Sequence, residues 1–233
     1  MVQARLLHLE TSTTVCSVAL SQGNEIIGLS EIDEANVHAS QLTCRVDQLM
    51  EKEGWTYADL DAVVVSKGPG SYTGLRIGVS TAKGLCYALD KPLIALDSLQ
   101  SLAAGYLQRD GQPGLDDRLV PMIDARRMEV YASHWDLNGR RLSPTEAIIL
   151  EEETFDAWKE KGTCFLFGSG ADKLVELYQH QEHIQIVTGF KASASYMVGL
   201  GYEAFIAKQF EDLAYFEPYY LKEFVPTQPR KRV

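Results

Sequence analysis

Residues 61–96, DAVVVSKGPGSYTGLRIGVSTAKGLCYALDKPLIAL, constrain the fold more than any other stretch, because they follow a strand, a glycine turn, a long helix and a second strand without a break. Ala62 to Val65 is a β-branched run, and Lys67-Gly68-Pro69-Gly70-Ser71 interrupts it with residues suited to tight turns and positive φ. Ser71 or Thr73 then caps a helix that runs to about Leu89, and the ring of Pro92 disfavours helical geometry at Lys91. Leu93 to Leu96 follows as a buried strand. The unit reads as a βαβ crossover, which requires a parallel pair inside a sheet.

At 3.6 residues per turn the helix carries two apolar stripes. One is Leu75, Val79, Ala82, Cys86 and Leu89; the other is Gly74, Ile77, Gly78, Thr81, Gly84, Leu85 and Ala88. One side is expected on the sheet and the other on a neighbouring helix, in this chain or in a partner, since glycines cost helix stability that close packing recovers.

Upstream, residues 4–9, 15–20 and 25–32 read as an antiparallel meander, followed by a helix from Ala35 to Lys52 with an internal stripe of Ala35, His38, Leu42, Arg45, Val46 and Leu49. Asp97 is the expected cap of a helix over 98–107. The polar stretch 109–117 marks a lobe boundary, and the order of elements then starts again. Strands at 119–124, 128–135 and 145–150 form a second meander with Asn138-Gly139 as a turn. A helix at 152–161, a strand at 164–167, a helix at 171–181, a strand at 184–187 and a helix at 192–209 complete the echo. Two such passages predict a duplicated, ribonuclease-H-like α/β fold, with lobes at 1–108 and 109–216 and an extended tail at 217–233.

Net charge is −10, and residues 1–100 hold 7 Lys/Arg against 12 Asp/Glu, leaving 15 against 20 for the rest. Neither half offers a broad basic surface, and the Arg230-Lys231-Arg232 cluster reads as a solvated tail. Four widely spaced cysteines with no CxxC match reduced core residues of a cytoplasmic protein. No apolar run is long enough to span a membrane.

The strings ETSTTVCSVAL (10–20), KGPGSYTGLRIGVSTAKGL (67–85), PLIALDSLQSLA (92–103), IDARRMEVYAS (123–133) and EPYYL (217–221) together resemble the bacterial TsaB (YeaZ) family over almost the whole chain. GPGSYTGLRIG is the specific match, and the others support it. The resemblance implies the actin-like, sugar-kinase and heat-shock ATPase (ASKHA) fold. It also implies a role in forming N6-threonylcarbamoyladenosine on tRNAs that read codons starting with A. In that pathway TsaC makes threonylcarbamoyl-adenylate. TsaB-like proteins then partner the catalytic paralogue TsaD, together with the ATPase TsaE.

Against that background the chemistry-bearing motifs look thinned out. The glycine loop meets neither GxGxxG nor GxxxxGK[ST]. Glu10 stands where ATPases of the implied fold place an Asp, and Thr11 and Ser12 follow without glycine, which reads as a surface turn capped by hydroxyls. The catalytic paralogue binds metal through HxxxH; here the helix offers His38 with Leu42 in the second position, so that pair cannot form and no metal site is expected. Asp124, followed by Arg126 and Arg127, reads as a structural ion pair with one of them, and Gly168 and Gly170 resemble an adenosine-contacting turn. Glu10, Thr11, Ser12, Asp124, Gly168 and Gly170 are therefore candidates for a vestigial nucleotide site.

These readings favour a non-catalytic scaffold that docks TsaD through the helices 35–52 and 72–89. The candidate contacts are His38, Leu42, Arg45, Val46 and Leu49 on the first, and Gly74, Ile77, Gly78, Thr81 and Leu85 on the second. The same patch is expected to form a homodimer when the partner is absent. tRNA is reached only through the complex, and ATP or ADP at the heteromeric interface is the one cofactor position left open. Two rivals remain: an ASKHA-type ATPase or small-molecule kinase using Glu10 and Asp124, and a glycoprotease-like peptidase.

Overall fold

The structure, a computed structural model, describes residues 3–34, 37–108, 114, 116–158 and 162–222. Its first sheet has the order β3-β2-β1-β4-β5, built from β1 (Arg5–Glu10), β2 (Val15–Gln22), β3 (Glu25–Asp33), β4 (Ala62–Gly68) and β5 (Leu93–Asp97). β1–β2 and β2–β3 are antiparallel, whereas β1–β4 and β4–β5 are parallel. The second sheet repeats the pattern. β6 (Arg118–Asp124), β7 (Glu129–Ala132) and β8 (Glu146–Ile149) form the meander, and β9 (Cys164–Phe167) and β10 (Ile184–Val187) add in parallel to give β10-β9-β6-β7-β8. This is the two-lobe α/β arrangement of the ASKHA fold.

β1 and β4 are central and parallel to each other, so both faces are covered and their sequences run apolar without alternation. On one face, Leu7, Leu9, Val63 and Val65 pack against α1 (His38–Lys52) and α2 (Tyr72–Leu89). On the other, Leu6, Ala62 and Val64 meet Ala194, Met197 and Ala204. The last of these belongs to α5 (Val198–Ile206), and the first two to a 3-10 turn that leads into it.

That second face departs from the lobes read in the sequence. By sequence α5 and the turn before it fall in the 109–216 lobe, yet they cover the first sheet. Conversely, Leu99, Leu102 and Ala103 of α3 (Ser98–Leu107) pack with Leu119, Ile123, Trp135 and Phe167 on the second sheet. Each half lends a helix to the other. The fit is close at Gly201, where a Cβ would stand 2.9 Å from His8 Cε1.

α2 starts and ends as its sequence predicts. Ser71 Oγ accepts from Gly74 N at 3.2 Å, and Asp90 closes the helix at φ +53. Asp97 Oδ1 caps α3 by accepting from Leu99 N and Gln100 N. Three expected helices are shorter. Among the described residues of the 152–161 stretch there is a 3-10 turn at Asp156–Trp158, with 159–161 outside them, and Phe155 is buried. In the 171–181 stretch only α4 (Val175–Tyr178) is α-helical, after a 3-10 turn at Asp172–Leu174. The long helix expected over 192–209 is α5, which Lys208 ends at φ +55. α1 begins at His38; Ala35 lies outside the described residues.

Candidate functional site

The turn after β1 lies inside the protein, under the start of α2, and is not the surface turn that its hydroxyls suggested. Glu10, Thr11 and Ser12 are each at most 1% exposed. Glu10 Oε1 accepts from Ser12 N at 2.6 Å and from Ser66 Oγ at 3.0 Å. Burial pushes its carboxyl above the ordinary glutamate value, against the opposing pull of the Ser12, Ser66 and Thr11 hydrogen bonds. The glycines of the central motif accommodate this turn. A Cβ at Gly70 would lie 2.3 Å from Ser12 O, at Gly74 2.1 Å from Thr11 O, and at Gly78 2.2 Å from Thr11 Oγ1.

Two amides at this helix start are engaged within the chain: Ser71 N donates to Ser12 O at 2.7 Å, and Gly74 N donates to Ser71 Oγ at 3.2 Å. Glu10 is enclosed.

The second meander is likewise occupied, by a residue that the sequence did not single out. Lys173 Nζ contacts Asp124 Oδ1 at 2.5 Å and donates to the carbonyls of Arg127 (2.7 Å) and Glu129 (2.8 Å). The expected ion pair between Asp124 and Arg126 or Arg127 is thus replaced; Arg126 reaches Asp124 only through its backbone N–H, at 3.0 Å. Both arginines sit in left-handed backbone, at φ +71 and +54. Gly168 (φ +100) and Gly170 are fixed by packing, since added Cβ atoms would stand 2.3 Å from Met122 O and 2.7 Å from Val130 Cγ1. They bear on β6 and β7. Among the described residues no group of three or more His, Cys, Asp or Glu is placed to hold a metal ion.

The expected docking residues divide by burial. His38, Leu42, Val46, Leu49, Gly74 and Gly78 are interior, and His38 Nε2 is 3.1 Å from Val15 O. They support the surface without being on it. Arg45, Ile77, Thr81 and Leu85 are half-buried, with Arg45 donating to Ser30 Oγ on β3. Around them Ala39, Thr43 and Cys44 of α1 and Ser80, Gly84, Ala88 and Tyr87 of α2 are exposed, Tyr87 to 84%. The apolar girth of α2 is therefore only partly satisfied within the chain.

The tail adds a feature of its own. Residues 211–222 return to the first lobe, where Glu211 bridges Leu93, Lys83 Nζ donates to Phe216 O at 2.8 Å and Tyr219 N donates to Lys67 O at 2.7 Å. Lys222 then pairs with Glu129 of the second lobe. The prolines signalled an extended segment but not its course.

A family model described as "TsaD: tRNA N6-adenosine threonylcarbamoyltransferase" matches residues 30–223. The tRNA threonylcarbamoyladenosine biosynthesis protein TsaB of Bacillus subtilis (strain 168) is 33% identical over 189 residues, covering 80% of this chain and 77% of that protein. The protein of the same name from Escherichia coli (strain K12) is 28% identical over 170 residues, 71% of each. Among solved structures, YeaZ from Pseudomonas aeruginosa superimposes with a TM-score of 0.78 at 28% identity, covering 94% of this chain and all (100%) of that one.

Proposed function

The chain belongs to the TsaB (YeaZ) family of tRNA threonylcarbamoyladenosine biosynthesis, and from that premise we propose that it is a non-catalytic scaffold that activates TsaD by heterodimerising with it. The observation that carries the reading is the filled first turn. Where an ATPase of this fold would organise metal and phosphate, Thr11 and Ser12 are packed under Gly70, Gly74 and Gly78, and Glu10 is enclosed. The rival ATPase or kinase needs Glu10 and Asp124 accessible together, whereas Glu10 is buried and Asp124 is held by Lys173. Ser71, the serine a hydrolytic reading would favour, caps α2.

In this reading the half-exposed ridge of Ile77, Thr81 and Leu85, with the exposed Ala88 and Tyr87, is the TsaD contact, and burial of its apolar surface favours association. The same ridge pairs two copies of the chain when TsaD is absent. TsaE joins the assembly in the cytoplasm, and any ATP or ADP sits at the heteromeric junction, outside the first turn. No helix among the described residues is long and apolar enough to cross a membrane. Co-purification with TsaD, followed by an assay of modified adenosine, tests the proposal. Ile77→Glu and Thr81→Glu are expected to remove both while leaving the isolated chain folded; retention of TsaD by both variants would refute the assignment.

A further inference from the structure

The chain as a whole is acidic, but one strip of its surface interleaves cations with tyrosine rings, and it runs from one lobe to the other. On α2, Arg76 lies over the Tyr72 ring at 5.2 Å and donates to the Tyr72 hydroxyl at 2.9 Å. Tyr72 is 4.9 Å from Tyr220 of the tail, ring centroid to ring centroid. Between α2 and the tail runs a groove of about 380 Å³ whose walls include Tyr72, Arg76, Lys83 and Tyr220. Two residues after Tyr220, Lys222 pairs with Glu129 on β7. Burial is the main influence on the Tyr131 hydroxyl beside it, pushing it up; of its charged neighbours Lys222 and Arg126 oppose that and Glu129 adds to it. Arg126 is exposed and, like Arg127, sits in left-handed backbone, at a cost that Asn-Gly in its place would avoid.

We propose that the strip Arg76–Tyr72–Tyr220–Lys222–Tyr131–Arg126 is a contact for the single-stranded loop of an RNA, with the rings receiving bases and the cations tracking phosphates. The inference rests on the tRNA-modification reading above and goes beyond it, since there tRNA reaches this chain only through its partner. Rings alternating with cations are what a splayed strand needs; a duplex buries its base faces, and an acidic protein segment has no use for the rings. Glu129 and Glu217 border the strip and trim its charge, which suits a short loop better than a long phosphate backbone.

The test is fluorescence anisotropy of the full-length chain alone, with a labelled RNA hairpin and with its stem as a blunt duplex, at two salt concentrations. The hairpin is expected to bind more tightly than the duplex. Tyr220→Leu should weaken hairpin binding about tenfold, whereas Tyr220→Phe, which keeps the ring, should bind within about twofold of the parent. Arg126→Ala with Lys222→Ala should lower the salt slope by roughly 1.4, about 0.7 per cation on a single strand. Equal affinity for hairpin and duplex overturns the proposal. So does hairpin binding that Tyr220→Leu leaves unchanged, the result expected if the cations serve an acidic protein segment. Because the isolated chain is titrated, the outcome is independent of TsaD co-purification, which tests the reading beneath it.

Discussion

At the residue scale, three glycines of one helix stand in three different environments. Gly78 and Gly74 both face Thr11, the first its hydroxyl and the second its carbonyl, while an added methyl at Gly84 meets nothing within 4 Å. Gly78→Ala and Gly74→Ala should each destabilise by about 1–3 kcal/mol through overpacking. Thr11→Ala should rescue the first and not the second. Gly84→Ala should raise stability by up to about 1 kcal/mol, as alanine does at an open helix position. Chemical denaturation of the series checks all four. Two buried ionisable groups predict the pH dependence. His8, bonded to Ser21 Oγ at 2.8 Å, is lowered by burial to about 3 from 6.5, so the unfolded chain takes up its proton first. Its contribution is present above 6.5 and is lost as pH falls from there toward 3, and His8→Gln should flatten that limb. Glu10 runs the other way. Its raised value means that the folded chain keeps the proton longer, so its contribution is present below the ordinary glutamate value and is lost as pH rises through the raised one. Glu10→Gln should therefore melt higher than the parent above neutral pH, with the gap closing on acidification. On the scaffold reading it should also leave adenosine modification intact.

At the element scale α2 is the part of the molecule whose sequence and structure agree most fully. Its sheet-facing stripe of Leu75, Val79, Ala82 and Cys86 is buried, its cap is Ser71, and its second stripe is divided between the Thr11 turn and the half-exposed ridge. That division gives the docking prediction a contrast. A charge at Ile77 or Thr81 should weaken TsaD binding by at least about 2 kcal/mol, the scale of a well-packed interface anchor. A charge at Leu42 or Val46 should unfold the chain instead, because those side chains are core. Titration of each folded variant against TsaD, with circular dichroism beside it, separates the two. The shortened helices fail for a physical reason. Ala171, Leu174 and Tyr178 are buried at helical spacing, but Gln179 and His180 beyond them are exposed and give no further anchor, so one α-helical turn forms after a 3-10 turn.

At the scale of the whole molecule, the two halves are joined by exchange, and Asp97 shows how. One oxygen caps α3 and the other accepts from Arg141 Nη2 of the second half at 2.6 Å. Asp97→Asn keeps the cap and weakens the pair, whereas Asp97→Ala loses both and should cost about 1 kcal/mol more. Thermal melts of the two variants check the difference. The sequence by itself determined what short-range rules encode: the βαβ unit at 61–96, both meanders, the caps at Ser71 and Asp97, and the motif run that marks the family. Those signals lie within one turn or one strand of the residues that they govern. The tertiary structure alone decided that α3 and α5 cross to the opposite sheets, that Glu10, Thr11 and Ser12 lie inside, that Lys173 takes Asp124, and that the tail binds α2 and reaches Glu129. Each of these depends on surfaces far apart in the chain meeting with complementary shape or charge, as Gly201 does on His8, and no local periodicity records such a match.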